Sequence, residues 1–570
     1  MMRPPTPDAP LKFRLNVTAV AAGLAVAALS AWSQQVPPGV DKPAEKLVTR
    51  EIFLATGVSS LTVTEDCQRA AWVVSKNHKS WVVVNGVPQA KQYDGIEDYS
   101  LTFTPDGKRL AFRAKRGKER FVVLDDGVEG RPYDRIEEEL AFSPDGKRLA
   151  YRAKRGDQRF VVLDDGAESK PYKNVGNVGF SPDSKRLAYV AVGDQGAHVV
   201  VDGQEGPSFD SSSGDVMGTF QTLREHNSVF SPDSKRVGYW ARRARKWLSV
   251  VDGKEYADAS PPRFSPDGLR LAYVNAAAPP GASKRGSQWL SLSSFQLGPY
   301  VIPTWNFKSP AGYKWSVMVD GQAVKEHSQP ISPFIAFSPD GKRLAYCLVS
   351  GPTERVVVDG VEGKEYEKVD NPTFSPDGRR VAYRAKRGGK WMLVLDGVES
   401  QPYDDLGSRE WGTPYYLQGV SWSPDSKRLA VAAKRAGKWR VVVDGVEGQP
   451  HGLIETIVWS PDSKRLAYVA GREASFWTNV GTPPKWFVVV DGVEYTGIKH
   501  GQVSPPIFSP DSRHVAYKVD KRIVMDGRVS GEHLDTELGP LIFANGLLRT
   551  VAFRGAELVR VEVDCPPARP

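Results

Sequence analysis

Residues 140–175 read LAFSPDGKRLAYRAKRGDQRFVVLDDGAESKPYKNV, and this stretch decides the fold class. In Ser143-Pro144-Asp145-Gly146 the serine can bond back into a turn, the proline pre-sets the backbone at the second position, and the glycine closes it. These are the residue preferences of a type I turn. RLAYRA then reads as a strand and FVVLD as another. The second run is nearly continuously apolar, which suits a strand sandwiched between neighbouring sheets on both faces. Asp165-Gly166 is a tight hairpin signal, and the short segment around Pro171-Tyr172 reads as a fourth, outer strand. The strands are named a (ending at SPDG), b, c and d.

The same unit recurs along the chain. The turn returns as TPDG at Thr104, SPDS at Ser181 and Ser231, and SPDG at Ser265, Ser338 and Ser375, then as SPDS at Ser423, Ser460 and Ser509. Worn copies start at Thr64 and Ala544. Intervals of 39 residues (Thr104 to Ser143) and 38 (Ser143 to Ser181) match one four-stranded propeller blade. No long amphipathic helix interrupts the series, so the expectation is an all-β chain of β-propeller repeats with about twelve blades. A single sheet cannot bury both faces, whereas radially arranged blades can. Because rings usually hold four to eight blades, the preferred partition is two tandem six-bladed propellers, 48–330 and 331–565, with a tail at 566–570. A split of five and seven, or one very large ring, are the alternatives. Leu47–Leu54 and Leu558–Val563 are candidates for ring-closing strands.

The F-SPDG-KRLAY core resembles the WD40-like PD40 repeat of the TolB propeller family, and it is similar to the propellers of prolyl-oligopeptidase-type enzymes. The resemblance covers nearly the whole chain after its N-terminal segment and specifies the blade rather than a role. Similarity to the TolB propeller implies protein–protein contact in a cell envelope, although the separate N-terminal domain of that family is not apparent. The GH and WD dipeptides of true WD40 repeats are missing.

Composition is that of a folded globular protein, with 40% hydrophobic and 25% charged residues. The net charge of +9 favours anionic partners weakly. Arg3, Lys12 and Arg14 precede an apolar run from Val17 to Leu29 that is short for a bilayer span. Residues 1–33 are therefore read as a signal peptide and 34–47 as a linker, which places the protein in the periplasm or outside the cell. The alternative is an uncleaved membrane anchor. Cys67, Cys347 and Cys565 show no ligand spacing. A ring-closing Cys67–Cys565 bridge is conceivable, and three free thiols are the competing reading. The eight histidines show no close pairing, so neither a metal site nor a cofactor is expected.

Catalytic signatures are likewise missing. The G-x-S-x-G elbow of an α/β-hydrolase does not occur, and the sialidase Asp box breaks because glycine follows aspartate directly. The repeated aspartate is read as a turn former, and no catalytic residue is assigned. Length variation carries more information. Gly206–Asn227 and Leu406–Gly419 lengthen d-to-a connections, and Asn275–Tyr313 and Gly471–Lys485 lengthen b-to-c connections. These two loop classes share one end of an up-and-down blade, so one face is elaborated, as binding faces often are. Aromatic residues in the insertions (Trp289, Trp305, Trp411, Trp477) and basic b-to-c turns (Lys115-Arg116, Lys154-Arg155, Arg242-Arg243, Lys386-Arg387, Lys434-Arg435) are the candidate binding residues. They could hold a protein or an anionic envelope component. The bland reading is that the aromatics cover the propeller and the basic turns keep it soluble. Nucleic acid is a poor partner for an exported chain lacking a basic helix. An enzyme of glycan or lactone hydrolase or lyase type, with its site in a propeller funnel, is the alternative function.

Overall fold

The computed structural model describes residues 46–56, 60–125, 127–210, 230–244, 246–277, 279, 290–297, 300–307, 312–407, 420–472, 486–495, 503–530, 540–554 and 557–565. The expected signal peptide, most of the linker and the 566–570 tail lie outside them. Within Glu45–Pro570 the described residues are all-β, without a helix, and form twelve blades plus one separate two-stranded hairpin. The blades are numbered 1 to 12 in chain order by their a-to-b turns, which start at Thr64, Thr104, Ser143, Ser181, Ser231, Ser265, Ser338, Ser375, Ser423, Ser460, Ser509 and Ala544.

Blade 3 shows why the repeat folds as it does. Its strands a (Arg135–Phe142), b (Leu149–Arg155) and c (Gln158–Leu163) pair antiparallel, and Tyr172 completes the outer edge by bridging Arg159. Between a and b, the Gly146 N–H donates to Ser143 O at 2.8 Å and the Ser143 N–H to Arg148 O at 2.9 Å. The Ser143 hydroxyl donates to Asp145 Oδ1 at 2.7 Å, and the Lys147 N–H donates to the same oxygen at 3.1 Å. These bonds hold the Asp145 carboxyl below the usual carboxylate range, the Ser143 hydroxyl contributing most. The repeated aspartate is thus a turn former, as its sequence context indicates.

The fourth turn position is left-handed, with φ of 69° at Gly146 and 65° at Ser184. Glycine takes this region freely; serine does not. Where serine stands there, its side chain gains a bond across the blade seam: the Asp145 N–H donates to Ser184 Oγ at 2.9 Å. Most c-to-d hairpins are two-residue turns with both central residues left-handed, for example Asp359 (φ 50°) and Gly360 (φ 80°). That is the type I′ geometry the Asp-Gly pair favours. The 125–127 and 164–166 connections are three-residue loops instead.

The blades pack in one cyclic series, in place of the two six-bladed rings expected around Pro330. Trp315 and Val317 of blade 6 pack with Ile331 and Tyr346 of blade 7. Trp72 and Val83 of blade 1 pack with Val551 and Leu558 of blade 12. A buried apolar cluster of the same kind joins every other consecutive pair. Closure is made by the N-terminal segment: Arg50–Thr56 pairs antiparallel with Glu557–Asp564 as strand d of blade 12. Just before it, Lys46–Leu47 adds in parallel to the outer edge of blade 11 at Val529 and Ser530. The two candidate closing segments therefore pair with each other. All three cysteines are free thiols. Cys67 is buried in the seam between blades 12 and 1, and Cys565 packs between blades 11 and 12, so the conceivable Cys67–Cys565 bridge is absent.

Candidate binding face

The SPD turns and Asp-Gly hairpins lie at one end of the blades, and blade 10 shows how they are tied. Arg465 follows the turn; its Nε donates to Asp491 Oδ2 of the hairpin at 2.9 Å, while the Leu466 N–H donates to Asp491 Oδ1 at 2.9 Å. The same guanidinium reaches blade 11, donating from Nη1 to Ser512 O at 3.3 Å and Arg513 O at 2.7 Å, over the ring of Phe508. Equivalent straps run from Arg109, Arg148, Arg186, Arg270 and Arg343 to backbone carbonyls of the following turn. At the closing seam Arg549, which follows the worn turn of blade 12, donates from Nε to Glu562 Oε1 of its own blade at 3.2 Å. Arg560 of its strand c supplies the bond across the seam instead, donating to Gln68 O of blade 1 at 3.3 Å.

The opposite face carries the b-to-c turns and the d-to-a connections. The long connections leave from it, their starts and ends fixed by described residues. The Asp210 N–H donates to Arg242 O beside the b-to-c turn of blade 5, immediately before 211–229. From the b-to-c connection of blade 6 rises the separate hairpin, Leu290–Leu297 paired with Tyr300–Phe307. Trp305 is in its second strand, opposite Leu292. Trp289, Trp411 and Trp477 lie outside the described residues.

The basic pairs on this face split by position. The second member is a clasp between blades. Arg155 Nη2 donates to Glu168 Oε1 of its own blade at 2.9 Å and sits 5.0 Å over the ring of Tyr133 from blade 2. The Tyr133 hydroxyl donates to the same Glu168 oxygen at 2.6 Å, and the Gly156 N–H donates to Asp134 Oδ2 at 2.7 Å. Arg155 and Tyr133 together hold the Glu168 carboxyl below its ordinary value, the arginine contributing most, and burial pushes the Tyr133 phenol up. Arg116 repeats the arrangement with Glu129 and Tyr93, Arg243 with Glu255 and Phe209, Arg387 with Glu399 and Tyr366, and Arg435 with Glu447 and Tyr403.

The first member points elsewhere. Lys386 and Lys434 lie over Trp391 and Trp439, and Arg242 lies over Trp247 and 3.8 Å from Asp210. Lys115 and Lys154 form no ion pair among the described residues. Sequence reasoning missed the clasp, although its parts recur together in one blade after another: KRG after strand b, VE at strand d, and Tyr-Asp just beyond.

No family model matches the chain, and no curated protein matches it. Many solved structures align with it, among them an initiation factor and a TolB protein. A eukaryotic initiation factor is 13% identical over 74% of this chain and 97% of that one, with a TM-score of 0.32. A TolB structure from Agrobacterium tumefaciens is 14% identical over 43% of this chain and 84% of that one, with a TM-score of 0.21.

Among the described residues no group of His, Cys, Asp or Glu is placed to hold a metal ion, and no helix is long and apolar enough to cross a membrane. The face can present loops on a stiff ring whose clasps consume the second basic residue of each pair. Lys115 and Lys154 stand outside the clasps among the described residues.

Proposed function

We propose that this protein is a non-enzymatic binding or scaffolding propeller acting outside the cytoplasm, which holds a protein or an anionic envelope component on its elaborated face. The observation that carries this reading is the segregation of length: the long insertions leave from one face, while the other keeps fixed turns strapped blade to blade. A rigid scaffold with variable loops on one side is the usual arrangement for recognition. The basic first positions add a weak attraction for anionic surfaces, and the resemblance of the repeat to TolB-type propellers points the same way. Export rests on the basic-then-apolar pattern of the first 33 residues.

The test is affinity capture from envelope extracts with the mature protein and with a variant whose residues 278–312 are replaced by a Gly-Ser turn. The expected outcome is a partner retained by the intact protein and lost by the shortened one, with the same urea midpoint for both. Equal capture by both, or capture by neither, overturns the reading.

A further inference from the structure

One position of the clasp departs from the pattern in a way that has chemical consequences. Facing strand c at the blade edge, other blades place Tyr93, Tyr133, Tyr172, Phe209, Tyr366 or Tyr403. Blades 6 and 9 place His327 and His451 there, paired with Trp315 and Trp439. Both imidazoles are buried in the seam with the following blade. His327 Nε2 is 2.9 Å from the Tyr346 hydroxyl, and His451 Nε2 is 3.1 Å from the Tyr468 hydroxyl. Each ring meets that tyrosine edge-on, and His451 also meets Phe487.

We propose that the seams between blades 6 and 7 and between blades 9 and 10 are acid-sensitive joints, which loosen together when their histidines are protonated and free the three-blade sector between them.

A neutral imidazole accepts a hydrogen bond from the tyrosine hydroxyl at Nε2 and turns its own N–H, on Nδ1, toward the carboxylate of the next blade. A proton added at Nε2 confronts that O–H, so the hydroxyl must rotate and accept instead. The new charge is also taken out of water. The carboxylates that could compensate it are already engaged. Glu362 Oε1 lies 3.6 Å from His327 Nδ1, but it is held by Lys325 at 2.9 Å, and its other oxygen by Arg355 at 3.0 Å. Arg355 pairs with Glu365 as well. Glu494 Oε1 lies 3.7 Å from His451 Nδ1 and is paired through Oε2 with Arg472 at 3.1 Å. The lysine and the arginines repel an imidazolium where the glutamates attract it. Burial outweighs the glutamates, and both histidines are held below their ordinary value of 6.5.

The sign follows. An opened joint binds the proton near 6.5 and a closed one only lower, so the seam keeps its full stability above that value and loses it as pH falls toward the depressed one. A tyrosine at the same position does not titrate in this range, so the other seams do not respond.

Hydrogen exchange of the full chain at pH 7.5 and 5.5, corrected for intrinsic rates, tests this. Peptides covering Gln322–His327 with Leu344–Ser350, and residues 446–451 with Leu466–Gly471, are expected to lose about fivefold or more in protection at pH 5.5. The double variant His327→Tyr/His451→Tyr, which installs the residue used at the other seams, is expected to keep its protection. A neutral pair, His327→Gln/His451→Gln, gives the same readout if the tyrosines do not fit. Equal protection of the native chain at both pH values, or the same acid loss in the neutral variants, overturns the proposal. His198 and His514, which bond Gly206 and Asp526 away from the clasp, are unchanged in both variants, so a loss of protection that persists in those variants counts against it.

Discussion

The two faces are stitched by the same residue type and yet tolerate change very differently. On the turn face, arginine donates to backbone carbonyls of the next blade, as Arg465 does to Ser512 and Arg513. Such acceptors exist only if the next turn has the right length, whatever its side chains. On the elaborated face, the clasp arginines meet side chains first, as Arg155 meets Glu168 and Tyr133, and Arg243, Arg387 and Arg435 add one bond each to a backbone carbonyl of the preceding blade. A side-chain clasp can be swapped, weakened or dropped one blade at a time without moving a strand. Backbone-anchored seams therefore freeze loop length, and side-chain seams leave it free to vary.

The sharpest way to break this contrast is to insert the same two residues into each face of one blade. Gly-Ser placed within the Ser181–Lys185 turn moves the carbonyls that Arg148 holds and the Ser184 hydroxyl that receives the Asp145 N–H. The expected loss is about 4 kcal/mol or more, in the range of severe lesions. The same insertion between Asp194 and Gln195, in the b-to-c turn of that blade, is expected to cost about 1 kcal/mol or less. Urea melts of the two variants settle the comparison, and equal losses would erase it.

A smaller difference is expected from removing one arginine per face. Arg465→Ala deletes charge-assisted bonds from a group 28% exposed and should lower stability by about 2 kcal/mol. Arg155→Ala removes a half-exposed group, 50% by side chain, whose ion pair is screened by solvent, so about 0.5 kcal/mol is expected. Part of the second loss should disappear at high salt. A larger loss for Arg155 than for Arg465 in parallel melts would reverse the ranking of the faces.

Much of the blade was legible because its determinants are local. Ser-Pro-Asp-Gly and Asp-Gly specify their turns through backbone preferences a few residues long, and the runs LAYRA and FVVL specify strands buried on both faces. The closing segments were legible as unpaired strand patterns at the two ends of the array. The basic pairs were legible as a rim feature, but not as clasps, because each clasp joins Arg155 and Glu168 to Tyr133, residues separated in sequence and brought together only across a seam.

The sequence by itself determined the all-β class, the twelve repeats and the face on which the insertions emerge, since turn chemistry and strand periodicity act within one blade. Tertiary structure alone decided that the twelve blades form one cyclic series and that Arg50–Thr56 pairs with Glu557–Asp564. It also decided that Cys67 and Cys565 belong to different seams. Ring size depends on the angle between packed sheets, a property of the interface between repeats rather than of any repeat, so no single copy of the unit contains it.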